Sequence, residues 1–257
     1  MKQSRSLLAW LGFAGFVISF LWWQSLPERP WERSEAREQM VDTRAAFGRV
    51  VIDPGHGGQD SGKIQDGVME KDVALDVARR VERILNAKGV ATLLTRTDDS
   101  YVSLASRAAL ANEVREAVFV SIHFDDAKPS ATGIATYYAA RQTGDRPLLA
   151  SWLPFLRSSS SEPTTNVRSQ SLAAFVQEAA VARTHAANRG TRPAQFYVVA
   201  NVRHPAVLIE GGFLSNKQDR DNILAEEYRE QLASAIAEGI MRYREQLRAV
   251  AAQPPQA

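Results

Sequence analysis

The sequence predicts a single α/β domain built on a mostly parallel sheet of roughly six strands. Short apolar runs alternate with longer segments of helical periodicity, a pattern typical of β-α units whose strands lie parallel. One run, AVFVSIH (117–123), is continuously apolar, as strands are when helices cover both faces of a sheet. The chain of 257 residues is long enough for one substantial domain and too short for two large ones.

The first half of this domain, which starts near Phe47, alternates strands and helices regularly. The helix after the first strand has apolar residues on one face and stops at Gly89, a residue type that commonly ends helices. The next strand and helix repeat the same step. The predicted elements are a strand at RVVID (49–53), a helix at 70–89, a strand at VATLLTR (90–96), a helix at 103–114 and a strand at AVFVSIH (117–123).

The second half departs from this rhythm in one segment. Residues 141–168 contain prolines and a run of four serines, so we expect an insertion or a long loop there. The regular pattern then resumes, the domain closes near residue 248, and residues 249–257 are predicted to form a disordered tail. The predicted elements are a strand at GIATYYA (133–139), a helix at 171–188, strands at FYVVA (196–200) and AVLIE (206–210), and a helix at 227–248.

The N-terminus predicts a membrane signal anchor at residues 1–26. The stretch Leu7–Trp23 is uncharged and apolar, follows Lys2 and Arg5, and is just long enough to cross a hydrocarbon core of ~30 Å. It ends in WWQSLPE without the small residues of a cleavage site, which favours a retained anchor over a cleaved signal peptide. Residues 27–46 are polar and are predicted to be a spacer. The domain is then expected outside the cytoplasm, on the periplasmic side of the membrane, or secreted if the signal is cleaved.

Composition excludes two classes of site. The 31 Lys and Arg against 29 Asp and Glu give a net charge of +2 without a long basic run, so we expect no nucleic-acid partner. The chain contains no cysteine, which rules out disulfides and thiolate ligands. Any metal site must therefore be built from His, Asp and Glu side chains.

Four side chains that suit a metal site fall at or just after the carboxyl ends of predicted strands, or at the start of the next helix. His56 lies in the DPGHGG loop, His123 and Glu210 end the strands AVFVSIH and AVLIE, and Glu70 begins the helix after the glycine loop. In open α/β sheets, ligands bind at this edge. Two His and one Glu leave a fourth position on Zn²⁺ for water, and a further carboxylate can transfer protons. The pattern predicts a zinc hydrolase.

Each of these residues also has a structural interpretation. A histidine in a glycine-rich loop commonly bonds within the turn, Glu70 in a first helical turn offsets the dipole, and His123 can cap its strand. Glu210 is hardest to explain in this way, because a charge after the apolar run AVLI is costly to bury without a partner. The DPGHGG loop lacks the spacing of a P-loop or a dinucleotide fingerprint, which argues against phosphate binding.

Several longer motifs occur in an order that resembles the zinc-dependent N-acetylmuramoyl-L-alanine amidases. They are VVIDPGHGGQDSG, MEKDVAL, TRTDDSYVSLASRAALAN, FVSIH, GIATYY, RPAQFYVV and PAVLIEGGFLSN, and they span about residues 49–243. The resemblance implies an α/β fold with a six-stranded sheet and one zinc ion per chain. It also implies hydrolysis of the peptidoglycan amide that joins the lactyl group of N-acetylmuramic acid to the first L-alanine of the stem peptide.

Carried over position by position, the resemblance implies a role for each of the four residues. His56, Glu70 and His123 match the metal ligands of the family, and Glu210 matches its catalytic glutamate. The chain departs from the family after His123, where Ala-Asn is usual and this sequence has FDD. The acidic Asp125 in that segment is a candidate substrate-binding residue.

Three further residues are weaker candidates for substrate binding or support. Arg107 and Asn112 match a recurrent R-x₃-A-N element of the family, although a position on a helix surface explains them almost as well. His204 precedes the strand AVLIE and could contact substrate or serve only its loop. His185 is predicted within the helix at 171–188, exposed to solvent.

Partners and alternatives follow from the same motifs. The resemblance implies peptidoglycan as substrate, and in some larger members a helix in the position of residues 141–168 covers the metal until a partner displaces it. That segment is short and broken by proline here, so a surface loop is favoured over a plug that an activator protein would remove. Alternative functions are a zinc peptidase or deacetylase, and a catalytically silent protein that binds the cell wall.

Overall fold

The computed structural model describes residues 46–124, 128–142 and 166–252. These residues belong to one compact unit that begins at Ala46. The predicted signal anchor, the spacer, most of the segment 141–168, Asp125 and the last five residues lie outside the described residues. Within the described ranges, no helix combines the length and apolarity needed to cross a bilayer.

The described residues form eight strands and six helices. The strands are β1 (Arg49–Pro54), β2 (Ile64–Gln65), β3 (Val68–Met69), β4 (Ala91–Leu94), β5 (Ala117–His123), β6 (Ile134–Tyr138), β7 (Asn188–Pro193) and β8 (Ala206–Glu210). The helices are α1 (Glu70–Ala87), α2 (Leu104–Glu113), α3 (Val167–Thr184), α4 (Tyr197–Ala200), α5 (Lys217–Leu224) and α6 (Glu226–Ala251).

Six strands form a sheet in the order β4-β1-β5-β8-β6-β7, while β2 and β3 form a small separate hairpin. Strands β4, β1, β5 and β8 run parallel, β6 is antiparallel to β8, and β7 is parallel to β6. The predicted mostly parallel α/β sheet of about six strands is confirmed. The register pairs His123 of β5 with Glu210 of β8, so the carboxyl ends of these strands meet at one edge.

Two apolar layers flank this sheet. Alternate residues of each strand, such as Val50 and Ile52 of β1, face the larger core under α1, α3 and α6. The residues between them, such as Val51, face a smaller core under α2 and α4. Burial of each such aliphatic side chain contributes about 1.5–3 kcal/mol, which fixes the strand positions that carry the functional side chains.

The prediction of a strand at FYVVA is wrong, because Tyr197–Ala200 forms the short helix α4. A short apolar run with β-branched residues suits a buried strand or a buried helical turn, and here tertiary packing under the sheet decides. The sixth strand is instead β7, whose sequence NRGTRP has no apolar alternation. It pairs only with β6 at the edge of the sheet, where glycine, proline and charged residues are tolerated.

Three smaller differences concern helix ends and polar elements. Helix α3 ends at Thr184, and His185 lies outside it as the residue that ends the helix, with a left-handed φ of 57°. The polar helix α5 precedes the closing helix, and the side chain of Asn216 caps its first turn. Helix α6 continues to Ala251, so the first residues of the predicted tail are helical.

Candidate active site

The loop after β1 places His56 at the carboxyl edge of the sheet. The strand ends at Pro54, and His56 then adopts a left-handed φ of 59°. A Cβ atom at Gly55 would collide with the ring of His123, so only glycine allows the loop to pass this close to β5. At Gly62, with φ +61°, a Cβ would lie 2.5 Å from Glu70 Oε2. The glycines of the loop therefore create the space in which the two imidazoles and the carboxylate meet.

Glu70 lies between His56 and His123. Its Oε2 is 3.1 Å from His56 Nε2, and its Oε1 is 3.0 Å from His123 Nδ1. The two imidazole rings meet edge to face, with their centroids 4.9 Å apart. One ligand atom from each of the three residues lies within 4.8 Å of the others. These atoms converge on one point, and two nitrogens with one carboxylate oxygen are the donor set that zinc prefers in open hydrolytic sites.

Backbone groups hold the Glu70 carboxylate in place. The N–H of Phe124 donates to Oε1 at 3.0 Å, and the N–H of Lys63 donates to Oε2 at 2.9 Å. Burial alone would raise the pKa of Glu70, but hydrogen bonds from His123 and His56 outweigh it and hold the pKa well below its usual range. The carboxylate is therefore ionised and oriented before any ligand binds.

Asp60 contacts the outer nitrogen of His56. Its Oδ2 is 2.9 Å from Nδ1, which directs Nε2 toward Glu70. Burial alone would lower the pKa of His56, but the hydrogen bonds and charges of Glu70 and Asp60 raise it. A carboxylate on the outer nitrogen is the usual arrangement behind a metal-binding imidazole, because it fixes the ring and its tautomer.

Glu210 ends β8 beside these three residues. It is the register partner of His123 on the neighbouring strand and is 7% exposed. Ile122 and Ile209, the residues before His123 and Glu210, both face the larger core. Because side chains alternate along a strand, His123 and Glu210 share the opposite face. A buried carboxylate thus lies one strand away from the candidate metal ligands.

A buried polar network supports the loop from below. Asp53 of β1 is fully buried and accepts hydrogen bonds from Thr95 and Ser121. It also forms an ion pair with Arg107 at 2.7 Å. Arg107 also donates to the carbonyls of Pro54 and His56, each at 2.6 Å. Arg107 is therefore a supporting residue that fixes the backbone of the His56 loop.

Arg96 supports the same loop from the other side. Its guanidinium donates to the carbonyls of Pro54, Gly55 and Lys71 at 2.7 to 3.1 Å. Burial, together with the neighbouring charge of Arg107, lowers its pKa. Sequence reasoning missed Arg96, Asp53 and Asp60. An acidic residue at the end of the buried strand RVVID was the available signal for Asp53, since the same signal identified Glu210.

The structure does not bring Asn112 and His204 to this edge. Asn112 donates to the carbonyl of Asn201 at 2.9 Å and accepts from the N–H of Arg203 at 2.8 Å, so it fixes the loop before β8. His204 precedes the amino end of β8, whereas Glu210 lies at its carboxyl end. The length of the strand therefore separates His204 from the candidate metal ligands.

Comparison with known proteins agrees with this geometry. The family described as N-acetylmuramoyl-L-alanine amidase (Amidase_3) matches residues 50–242, which include all four residues of the site. The chain belongs to the N-acetylmuramoyl-L-alanine amidase family. The resemblance, the amidase function and the hydrolase class predicted from the sequence are thereby confirmed.

Relatives of this amidase are similar over most of the domain. The amidase AmiA of Escherichia coli K12 is 30% identical over 218 residues, which cover 76% of this chain and 75% of AmiA. The crystal structure of an amidase from Clostridium difficile 630 is 33% identical with a TM-score of 0.66, covering 78% of this chain and 98% of that one. The CwlD amidase of Clostridioides difficile, solved in complex with the GerS lipoprotein, is 25% identical with a TM-score of 0.66.

Proposed function

We propose that the chain is a zinc-dependent amidase that cleaves peptidoglycan between N-acetylmuramic acid and L-alanine. The observation that carries this proposal is the convergence of His56, Glu70 and His123 within 4.8 Å, with Glu210 on the next strand. These three side chains would hold the ion. The glycine loop supports the assignment. A side chain at Gly55 or Gly62 would fill the space in which the two imidazoles and the carboxylate meet.

The donor set fits zinc in particular. Two neutral imidazoles and one carboxylate leave one positive charge on the ion and an open position for water or substrate. When bound, zinc would polarise the amide carbonyl and lower the pKa of bound water to about 7. The rest of the chemistry belongs to side chains of this chain.

Glu210 is the proton-transfer group in this proposal. It is buried at the same edge as the ligands and lies on the same face of the sheet as His123. As a carboxylate it accepts a proton from the attacking water, and as an acid it then gives that proton to the departing alanine nitrogen. Protonation makes the nitrogen a better leaving group, so the C–N bond breaks and the nitrogen departs as the free amino group of L-alanine.

Arg107 and Arg96 contribute through position. Together they occupy the carbonyls of Pro54, Gly55 and His56, so the loop that carries the first imidazole is fixed before substrate arrives. A site preorganised in this way spends less binding energy on ordering itself during the reaction. Neither arginine is proposed to contact substrate.

The cellular context is also a proposal. The apolar N-terminus supports a single membrane anchor with the amidase domain facing the cell wall, outside the cytoplasm. The CwlD relative is named in complex with a lipoprotein, which supports an activating partner for this chain as well. For residues 141–168 we keep the loop as the favoured interpretation over a plug.

Digestion of purified peptidoglycan tests the reaction. The zinc-loaded protein should release stem peptides that begin with a free L-alanine, identified by mass spectrometry, and the Glu210→Gln variant should release almost none. New ends within the peptide would indicate a peptidase instead, and loss of acetyl groups from the glycan would indicate a deacetylase. The absence of any product in the presence of zinc would contradict the proposed function.

A further inference from the structure

Arg189 of β7 lies at the same edge of the sheet as the candidate metal ligands. The register pairs Ala135 of β6 with Glu210 and the preceding Ile134 with Asn188 of β7. Neighbouring strands are about 4.8 Å apart, so the start of β7 lies roughly 10 Å from the end of β8. The strand that the sequence did not predict therefore begins within reach of a substrate bound at Glu210.

The Arg189 side chain contacts the segment that follows β8. The β6–β7 ladder is irregular between Asn188 and Thr191, so strand alternation does not fix the direction of this side chain. Its position is given by a direct contact instead. The Arg189 Cζ stacks 4.8 Å from the ring centroid of Phe213, three residues after Glu210.

The donors of Arg189 are largely unused. Among the described residues its guanidinium makes one hydrogen bond, a long one of 3.4 Å from Nη1 to the carbonyl of Thr132. Its Nε is buried and has no hydrogen-bond partner. A ligand would therefore bond to the terminal Nη groups rather than to Nε. By contrast, Arg96 and Arg107 each donate to several carbonyls or carboxylates.

Stacking and a buried Nε do not by themselves define a binding site. Arg244 of α6 has the same two features, since its Cζ lies 5.8 Å from the Phe47 ring centroid and its Nε also lacks a partner. Phe47, however, precedes β1 and so lies near the amino ends of the parallel strands. What distinguishes Arg189 is its place at the reaction edge, beside the segment that follows Glu210.

We propose that Arg189 binds a carboxylate of the stem peptide on the leaving-group side of the scissile amide. This inference rests on the proposed function. A planar guanidinium with free donors suits a carboxylate, and stacking on Phe213 holds it in one orientation. Two peptide residues span about 7 Å, so the glutamate that follows alanine in stem peptides brings its free α-carboxylate near β7 when the scissile bond lies at Glu210.

Two muramyl tripeptides that differ only at this α-carboxylate test the inference. In one the group is free, and in the other it is amidated. Binding of each is measured by calorimetry to the zinc-loaded Glu210→Gln protein, which is expected to bind substrate without consuming it. That protein should bind the free acid about 10- to 100-fold more tightly than the amide, the usual effect of a charge-assisted hydrogen bond.

Second substitutions in the Glu210→Gln protein test whether Arg189 causes the preference for the free acid over the amide. Arg189→Met should abolish it by weakening binding of the acid alone, and Arg189→Lys should retain part of it. The matched control Arg244→Met should leave it unchanged. Equal binding of both tripeptides to the Glu210→Gln protein overturns the inference, as does an unaltered preference in Arg189→Met or Arg189→Lys. Cleavage by the unsubstituted protein is measured separately, so failure of the proposed function remains distinguishable from failure at Arg189.

Discussion

Two charged networks of this molecule contain similar groups in different surroundings. Beneath the His56 loop, Arg107 and Asp53 form an ion pair at 2.7 Å with side chains only 3% and 1% exposed. On the outer surface between α1 and α6, a larger cluster links six side chains. Its members are Asp76, Arg80, Arg83, Glu226, Arg229 and Glu230.

The exposed cluster contains more ion pairs than the buried network, but each pair contributes less to the stability of the fold. In the pair of Arg83 with Glu230, for example, 61% and 38% of the side chains are exposed. Water stabilises such charges almost as well when the pair is broken, so each pair contributes about 0–1 kcal/mol. The buried pair has no such replacement, and losing one partner leaves the other charge desolvated. The number of charges in a network therefore does not predict its contribution to stability. That contribution depends on burial and on the groups that each charge contacts.

The largest expected effect is at the two glutamates of the active site. Glu210→Gln removes the proton acceptor and should lower turnover by about 10² to 10⁴-fold while zinc content, measured by atomic absorption, stays at one per chain. Glu70→Gln replaces an anionic ligand with a weaker neutral one, so it should lower zinc affinity and activity together, and excess zinc should restore part of the rate.

The same two variants also test the opposite assignment, in which Glu210 is the metal ligand and Glu70 transfers the proton. If Glu210→Gln empties the site while Glu70→Gln stays loaded and inactive, Glu210 is the ligand and Glu70 the proton carrier. Full activity in both variants would contradict a zinc-amidase mechanism in this chain. His56→Ala provides the reference for a true ligand loss, because two remaining donors hold zinc poorly.

The next effect compares the two networks directly. Arg107→Met should lower the free energy of unfolding by about 3–5 kcal/mol, because Asp53 is left charged and buried. Arg80→Met breaks three pairs of the exposed cluster, each contributing about 0–1 kcal/mol, and should cost less than Arg107→Met. Urea unfolding in the presence of a chelator measures both without a contribution from bound metal. Equal losses in the two variants would refute the distinction by burial.

Asp60 tests whether an exposed carboxylate gains importance when it contacts a proposed metal ligand. Its side chain is 47% exposed, yet Asp60→Asn should weaken zinc binding about 10- to 100-fold, because the amide no longer fixes the His56 ring as an anion does. Asp99→Asn is the matched control, since Asp99 supports the same loop through Gly58 and Lys71 without touching an imidazole. Calorimetric titration with zinc should show little change for Asp99→Asn. A loss of equal size in both variants would assign the effect to the loop as a whole.

Sequence reasoning selected the four candidate site residues because their signals are local. His123 and Glu210 end apolar strands, and a polar residue at such an end stands out against the run before it. Glu70 and His56 adjoin a loop whose glycines mark an unusual backbone. The parallel order of the strands then brings all four to one edge, which general rules for open sheets predict.

Most residues that support the site do not stand out in this way, and Arg107 was predicted only through the family motif R-x₃-A-N. Arg96 and Arg107 act on carbonyls that become neighbours only when β1, α1 and α2 have packed. Strand β7 has no apolar pattern because it is an edge strand, so Arg189 at its start had no predicted place. Local patterns reveal groups that break a run, and they miss groups whose partners come from distant segments.

The smallest expected effect concerns Asp76, an acidic residue of the exposed cluster. Burial alone would raise the pKa of Asp76, but hydrogen bonds from Arg80 at 2.9 Å and Arg229 at 2.6 Å outweigh it and lower the pKa below its ordinary value. A depressed pKa stabilises the fold above about pH 4, where the unfolded carboxyl is also ionised, and this contribution disappears as pH falls through the folded value.

Asp76→Asn should therefore reduce the free energy of unfolding by less than about 1 kcal/mol at pH 7, since the Asp76 side chain is 40% exposed and solvent screens its pairs. The difference from the unsubstituted protein should stay constant down to about pH 5, shrink below pH 4, and become smaller in 1 M salt at neutral pH. Urea unfolding across that pH range measures it. A loss of several kcal/mol that persists in high salt would show that the α1–α6 cluster acts like the buried pair, and burial would then no longer explain the difference between the two networks.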